Sequence, residues 1–242
     1  MTPKSRGQGE PPAGRPKFTA RDLLARAAAE LLPAPDANPF VPLVADGTAG
    51  RGAVAALALE QCRVIPADRR AFLHLAARSA TAGLPAAAAF FSTLAEGERI
   101  AADRLDALLD ACRVSAEQAR AYEPMAGCQA YPAYVAWLAL NAAPADVVLA
   151  LTANFTAWGG YCATLAGALR TRYGFPDEAC AFFDFFAGPA PDLDREALAA
   201  LEEGVSGGGV TPRTALGQGR LLQEYEGMFW TGLAGRADAV RP

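Results

Sequence analysis

The chain has 242 residues, with 22 basic against 26 acidic side chains and a formal net charge of −4. Its arginines are scattered rather than clustered, so it lacks the basic face that a nucleic-acid partner requires. An apolar fraction of 52% beside 20% charged residues excludes a disordered chain and fits a packed, alanine- and leucine-rich helical protein long enough to enclose a pocket.

The first seventeen residues, MTPKSRGQGEPPAGRPK, are polar and rich in proline and glycine, and they lack the apolar stretch of a secretory signal. They read as a flexible cytoplasmic tail (residues 1–17) ahead of a single domain (residues 18–242). FTARDLLARAAAELLP then places Leu23, Leu24, Ala27 and Leu31 at helical spacing behind Thr19 as N-cap, until Pro33 stops the helix. The segment PAPDANPFVPLVADGTAGRG holds four prolines and three glycines and reads as a structured loop. From Arg51 to Cys112 the pattern fits three helices, with breaks near Pro66 and at Gly83-Leu84-Pro85. After EPMAGCQAY come two long helices joined at Pro144, which falls in the first turn of the second. GFPDEACAFFDFFAG, a charged helix over 192–203, the turn GVSGGG and a last helix starting at Thr211-Pro212 complete the chain. No alternating β-branched run and no repeat is present, so the fold class is all-α with roughly eight to ten helices.

The 23 positions from Val147 to Leu169 carry no charge. That run meets the length rule for a membrane span. Thr152, Asn154, Thr156, Thr164 and three glycines make it too polar for lipid, and a buried bundle helix explains it equally well. No membrane contact is expected. Asn154 stands in the middle of this helix, one turn before Trp158 and two before Tyr161. The three are expected to line a small-molecule pocket, the competing role for Asn154 being a helix–helix hydrogen bond.

On a helical wheel LLQEYEGMFWTGLA sets Leu222, Glu226, Phe229, Trp230 and Leu233 on one face, while Glu224 shares another with Arg220. Glu226 therefore lies on an apolar stripe, where a carboxylate is costly unless it has a partner or serves chemistry.

Histidine occurs once, at His74, among apolar neighbours, so neither a haem nor a histidine-rich metal site is expected. Glu96 with Glu98, and Asp103 with Asp106, read as solvated helix faces rather than magnesium ligands. No metal and no cofactor is therefore expected. The five cysteines (Cys62, Cys112, Cys128, Cys162 and Cys180) are widely spaced and odd in number. They read as reduced thiols of a cytoplasmic protein.

YEGMFW at 225–230 resembles the Y-E-x-x-F-W signature of the TenA / thiaminase II family, and NPFVPLVADGT at 38–48 resembles its early P-F segment ending in Gly-Thr. CQAYPAYVAWL and LALTANFTAWGGY resemble the paired helices that carry the family's active-site tyrosine and, 23 residues later, its nucleophilic cysteine. The similarity spans most of residues 18–235. It implies a haem-oxygenase-like multi-helix bundle, commonly a homo-oligomer, with Glu226 as the catalytic acid/base. It also implies Tyr131 and Gln61 as substrate-binding residues, each matching the family's residue type. Asn154 falls at the nucleophile's position, Cys62 at that of the aspartate holding the substrate's pyrimidine, and Ile65 at that of an aromatic hydroxyl. Trp158 and Phe186 fall where tyrosines stand. An amide has no nucleophilicity comparable with a thiolate, so the ordinary thiaminase II reaction is not expected. Cys162, two turns beyond Asn154, is the alternative nucleophile. The expected function is binding of a small heterocyclic ligand, pyrimidine- or thiamin-related, with hydrolase-type acid/base chemistry by Glu226. A non-catalytic ligand-binding or accessory protein on the same scaffold is the alternative.

Overall fold

A computed structural model describes residues 18–34 and 36–239, so the expected tail (residues 1–17) and the last three residues lie outside it. Eleven helices and no strand occur among the described residues: α1 (Ala20–Glu30), α2 (Phe40–Ala45), α3 (Arg51–Thr81), α4 (Pro85–Ala102), α5 (Leu105–Ala111), α6 (Ala116–Ala121), α7 (Ala126–Asn141), α8 (Pro144–Thr171), α9 (Asp177–Ala187), α10 (Pro191–Ser206) and α11 (Pro212–Ala239).

Local chemistry explains most of the boundaries. Thr19 and Asp22 form a reciprocal capping box at α1, with Thr19 Oγ1 accepting from the Asp22 N–H at 3.1 Å and Asp22 Oδ2 accepting from the Thr19 N–H at 2.8 Å. Ser115 and Gln118 do the same for α6. α4, α8 and α10 each begin with proline, whose missing N–H would be unpaired there in any case.

Two boundaries depart from the sequence expectation. α3 runs unbroken through Pro66, and the break falls instead at Asp103-Arg104, between α4 and α5. Pro66 is exposed, so the Cys62 carbonyl that loses its helical donor is on the solvent side, while Val64, Ile65 and Asp68 hold the helix from its buried side. The proline-rich connector contains α2, because Asn38 Oδ1 accepts the N–H groups of Phe40 and Val41 at 3.2 and 3.0 Å and so satisfies its first turn.

Two apolar cores share the long helices. One gathers α1, the second half of α3, α4, α7, the start of α8 and α10; the other gathers α2, the first half of α3, α5, α9 and the C-terminal halves of α8 and α11. Tyr131 packs against both. α7 lies close on α11: a Cβ at Gly127 would stand 2.9 Å from the Met228 carbonyl oxygen, nearer than a side chain tolerates. Among the described residues no helix, α8 included, is long and apolar enough to cross a membrane.

Candidate functional site

A cavity of about 1200 Å³ opens between the two cores. α3 contributes Gln61, Val64, Ile65 and Asp68; α4 contributes Glu98; α7, Tyr131; α8, Asn154 and Trp158; α9, Phe186; and α11, Glu226, Phe229 and Trp230. The mouth lies among Ser92, Thr93 and Glu96 of α4, Thr156 of α8, and the Gly188–Ala190 turn before α10.

Glu226 is buried, at 8% exposure, on the stripe with Leu222, Phe229, Trp230 and Leu233 that the helical wheel predicts. The Trp230 indole N–H donates to its Oε1 at 3.0 Å. Burial pushes the Glu226 carboxyl up to about 7, opposed by hydrogen bonds from Trp230 and from the Asn154 amide. A carboxyl with that pKa holds and releases a proton near neutrality, as a general acid or base must. Asn154, 6% exposed, keeps its Oδ1 without a hydrogen-bond partner. A buried, unpaired amide oxygen costs about 1–3 kcal/mol, which a ligand donor can recover.

Aromatic rings make the rest of the wall. Trp158 stands edge-on to Phe186 with ring centroids 5.5 Å apart, and tilted to Trp230 at 5.9 Å. Such rings present flat apolar faces suited to a planar ligand. Gly159 permits this arrangement, since a Cβ there would sit 3.1 Å from the Phe186 carbonyl oxygen and push α9 away from α8.

Tyr131 is placed from behind. Glu60, fully buried, accepts from the Tyr122 hydroxyl, the Met125 N–H and the Gln129 amide, each at 2.7 Å. These bonds pin the start of α7 to α3 and set Tyr131 across the cavity. Burial raises the Tyr131 phenol well above its usual value, with the charges of Asp68, Glu226 and Glu98 adding to the effect, so it stays a proton donor.

The fold thus brings together Gln61, Tyr131, Asn154, Trp158, Phe186 and Glu226. It does not bring Cys62 to the wall: that thiol packs beside the second core, half-buried, with burial raising its pKa. Tyr161 packs edge-on against Trp230 at 5.5 Å rather than lining the cavity. Cys162 is fully buried off the wall, its thiol pushed well up by burial and by the nearby Glu226, which is the opposite of an activated nucleophile.

Glu98 departs most from expectation. It is no fully solvated helix face; half-buried, it lines the cavity, and burial together with the charge of Asp68 raises its carboxyl well above the usual range. Asp68, 4% exposed, is raised by burial, and its Oδ1 has no hydrogen-bond partner. Asp68 and Glu98 carried no distinctive sequence signal. Among the described residues, no three His, Cys, Asp or Glu side chains converge in a way that could hold a metal ion.

No protein-family model and no curated protein sequence matches the chain. Among solved structures, a TenA homologue from P. horikoshii OT3 superposes with a TM-score of 0.66 at 16% identity, covering 91% of this chain and all of that one. A domain of unknown function with a haem-oxygenase-like fold from Shewanella denitrificans OS217 aligns at a TM-score of 0.47 and 13% identity, over 85% of this chain and 89% of its own. The chain folds as a TenA-like multi-helix bundle.

Proposed function

We propose that the cavity binds a small planar heterocyclic metabolite, related to pyrimidines or thiamin, and that Glu226 is its acid/base. The observation that carries this reading is a buried carboxyl with a pKa of about 7, on the cavity wall beside Asn154, whose amide oxygen has no partner. In a hydrolytic step Glu226 takes a proton from water as the oxygen bonds to an electrophilic ring or ring-bearing carbon. The bond from that carbon to the leaving nitrogen breaks, and Glu226 returns the proton to that nitrogen. No covalent intermediate on the protein is involved.

The test is incubation of the purified chain with a cell extract depleted of protein, followed by mass spectrometry of bound and free compounds. A compound consumed by the native chain but not by Glu226→Gln supports catalysis. A stoichiometric ligand recovered unaltered supports the second reading, a binding or accessory protein. What supports that alternative is that no thiol reaches the cavity wall, with Asn154 on that wall at the position where the resemblance expects the nucleophile.

The proposal treats residues 18–242 as one domain, since both cores share α3, α8 and α11. It takes the chain as cytoplasmic, supported by five unpaired cysteines, and as a homo-oligomer. Trp137 and Leu140 of α7 and Leu221 and Met228 of α11 are exposed on neighbouring helices, an apolar face of the kind a second copy covers. Sedimentation equilibrium checks the latter: a monomer at micromolar concentration would exclude it.

A further inference from the structure

Six acidic residues line the cavity and its mouth: Asp68, Glu96, Glu98, Asp192, Asp194 and Glu226. No Lys, Arg or His is among the described lining residues. Of the basic groups nearby, Arg69 lies close enough to Glu96 at the mouth to lower its carboxyl, and three others are engaged elsewhere. Arg99 is paired with Glu96 and Asp103, Arg195 with Asp192, and the Arg104 guanidinium lies over the outer side of the wall at Phe185, 4.6 Å from its ring centroid. The inner wall around Asp68, Glu98 and Glu226 therefore offers an anionic ligand no counter-charge.

Within this wall Asp68 and Glu98 form a distinct pair, contributed by the packed helices α3 and α4. Neither has a side-chain donor facing it: Asp68 Oδ1 is buried without a partner, and Glu98 meets the charge of Asp68 instead of a cation. Ionising two neighbouring carboxyls, one buried and one half-buried, without a counter-charge is costly. A cation arriving from the cavity removes that cost. The unpaired Oδ1 of Asn154 lies on the same cavity, so the lining offers unpaired acceptor oxygens beside its apolar rings.

Resting on the reading of the cavity as a ligand site, we infer that Asp68 and Glu98 are a cation subsite that takes the protonated amine of a ligand whose flat body lies against Tyr131, Trp158 and Phe186. The pair offers no counter-charge to a phosphorylated or carboxylated ligand. It also couples binding to protons. Burial and mutual repulsion keep protons on the empty pair, and the ammonium favours the carboxylates, so binding releases protons to solvent. The other titratable groups lining the cavity are Tyr131, which stays neutral, and Glu226, with Glu96, Asp192 and Asp194 exposed at its mouth. The measurements are therefore repeated in Glu226→Gln.

The test uses probes in isosteric pairs: benzylamine with benzyl alcohol, phenethylamine with 2-phenylethanol, and tryptamine with tryptophol. Binding is followed by calorimetry at pH 7.5 in two buffers of different ionisation enthalpy. At least one amine is expected to bind about tenfold or more tightly than its alcohol, as a charge-assisted hydrogen bond allows. The amine's binding enthalpy should change with buffer as protons are released, and both effects should persist in Glu226→Gln. They should be lost in Asp68→Asn/Glu98→Gln, and reduced in Glu98→Gln alone, whose partly open position makes it the safer variant to fold. Alcohols binding as well as amines would overturn the cation subsite and leave the ligand pocket standing. An amine preference that survives the double substitution would overturn it equally. Failure of every probe to bind would remove both the subsite and the pocket reading.

Discussion

The Trp230 indole N–H reaches Oε1 of Glu226 at 3.0 Å across one turn of α11, so the carboxyl's nearest polar partner is a neutral donor and not a cation. One neutral hydrogen bond, aided by the Asn154 amide, does not offset the loss of water, and the Glu226 carboxyl rises from the ordinary 4.5 to about 7. A raised pKa on an acid means that the fold favours the protonated form. Stability from this group is complete below about pH 4.5 and is lost as pH rises through about 7. The full loss is on the order of 3 kcal/mol. Glu226→Gln keeps the shape and the acceptor for Trp230 but cannot ionise. The two proteins should unfold alike near pH 4.5, with the variant the more stable by roughly 1–3 kcal/mol at pH 8. Chemical denaturation at several pH values measures this, and a variant less stable at pH 8 would mean that Glu226 has a charged partner.

Trp230→Phe removes that donor and leaves the buried stripe slightly underfilled. The packing loss, about 1–3 kcal/mol, does not depend on pH. The lost hydrogen bond does, because it favours the ionised form. The Glu226 pKa should rise above about 7, and the variant should lose more stability at pH 8 than at pH 5. A double-mutant cycle with Glu226→Gln isolates the coupling, expected to be larger at the higher pH.

Glu60 supports the site from outside it. Glu60→Leu strands the Tyr122 hydroxyl, the Met125 N–H and the Gln129 amide, all of which now meet a carboxylate oxygen at 2.7 Å. The expected cost is about 3 kcal/mol or more. Glu60→Gln should cost less, because Gln129 can rotate its amide and present oxygen to the new donor. Thermal unfolding ranks the three proteins. Equal stability of the native chain and Glu60→Leu would refute the role assigned to the clamp.

The helices were legible where the chemistry is local. Thr19 with Asp22, and the prolines at 85, 144 and 191, mark helix starts by the acceptors they supply or the donor they lack. Pro66 misled because the cost of an interior proline depends on which side of the helix it faces, and only packing decides that. α2 reads as loop in the sequence because its first turn is satisfied by Asn38, a side chain two residues upstream. Glu226 could be read from the wheel, since its neighbours on one turn are apolar. Glu98 could not: in AEGER it looks like any solvated charge, and it is enclosed only once α3, α4 and the turn before α10 come together. Cys62 reads as a site position by alignment with the family pattern. One position along α3 is 100° of rotation, enough to leave Gln61 on the wall and turn Cys62 off it.

The last prediction concerns the reaction that Asn154 forgoes. The resemblance to the TenA / thiaminase II family puts Asn154 where that family's reaction needs a thiolate, and the two thiols weighed as substitutes, Cys62 and Cys162, are off the cavity wall with raised pKa values. The native chain should show no thiamin turnover above background, against roughly 0.1–10 s⁻¹ for an ordinary enzyme. Asn154→Cys places a thiol beside Glu226, a base available near neutral pH, yet it should not restore full turnover. Ile65 is an apolar side chain on the wall at the position that the resemblance gives to an aromatic hydroxyl, and Cys62, at the position that it gives to the pyrimidine-holding aspartate, is off the wall. Asn154→Cys should instead react with iodoacetamide faster above pH 7 than the native chain does, with the gain lost in Asn154→Cys/Glu226→Gln. Product formation from thiamin and alkylation are followed in the same samples. Full thiamin turnover by the native chain would overturn the reading of Asn154 as a binding amide; full turnover by Asn154→Cys alone would show that the missing anchors at Cys62 and Ile65 do not matter.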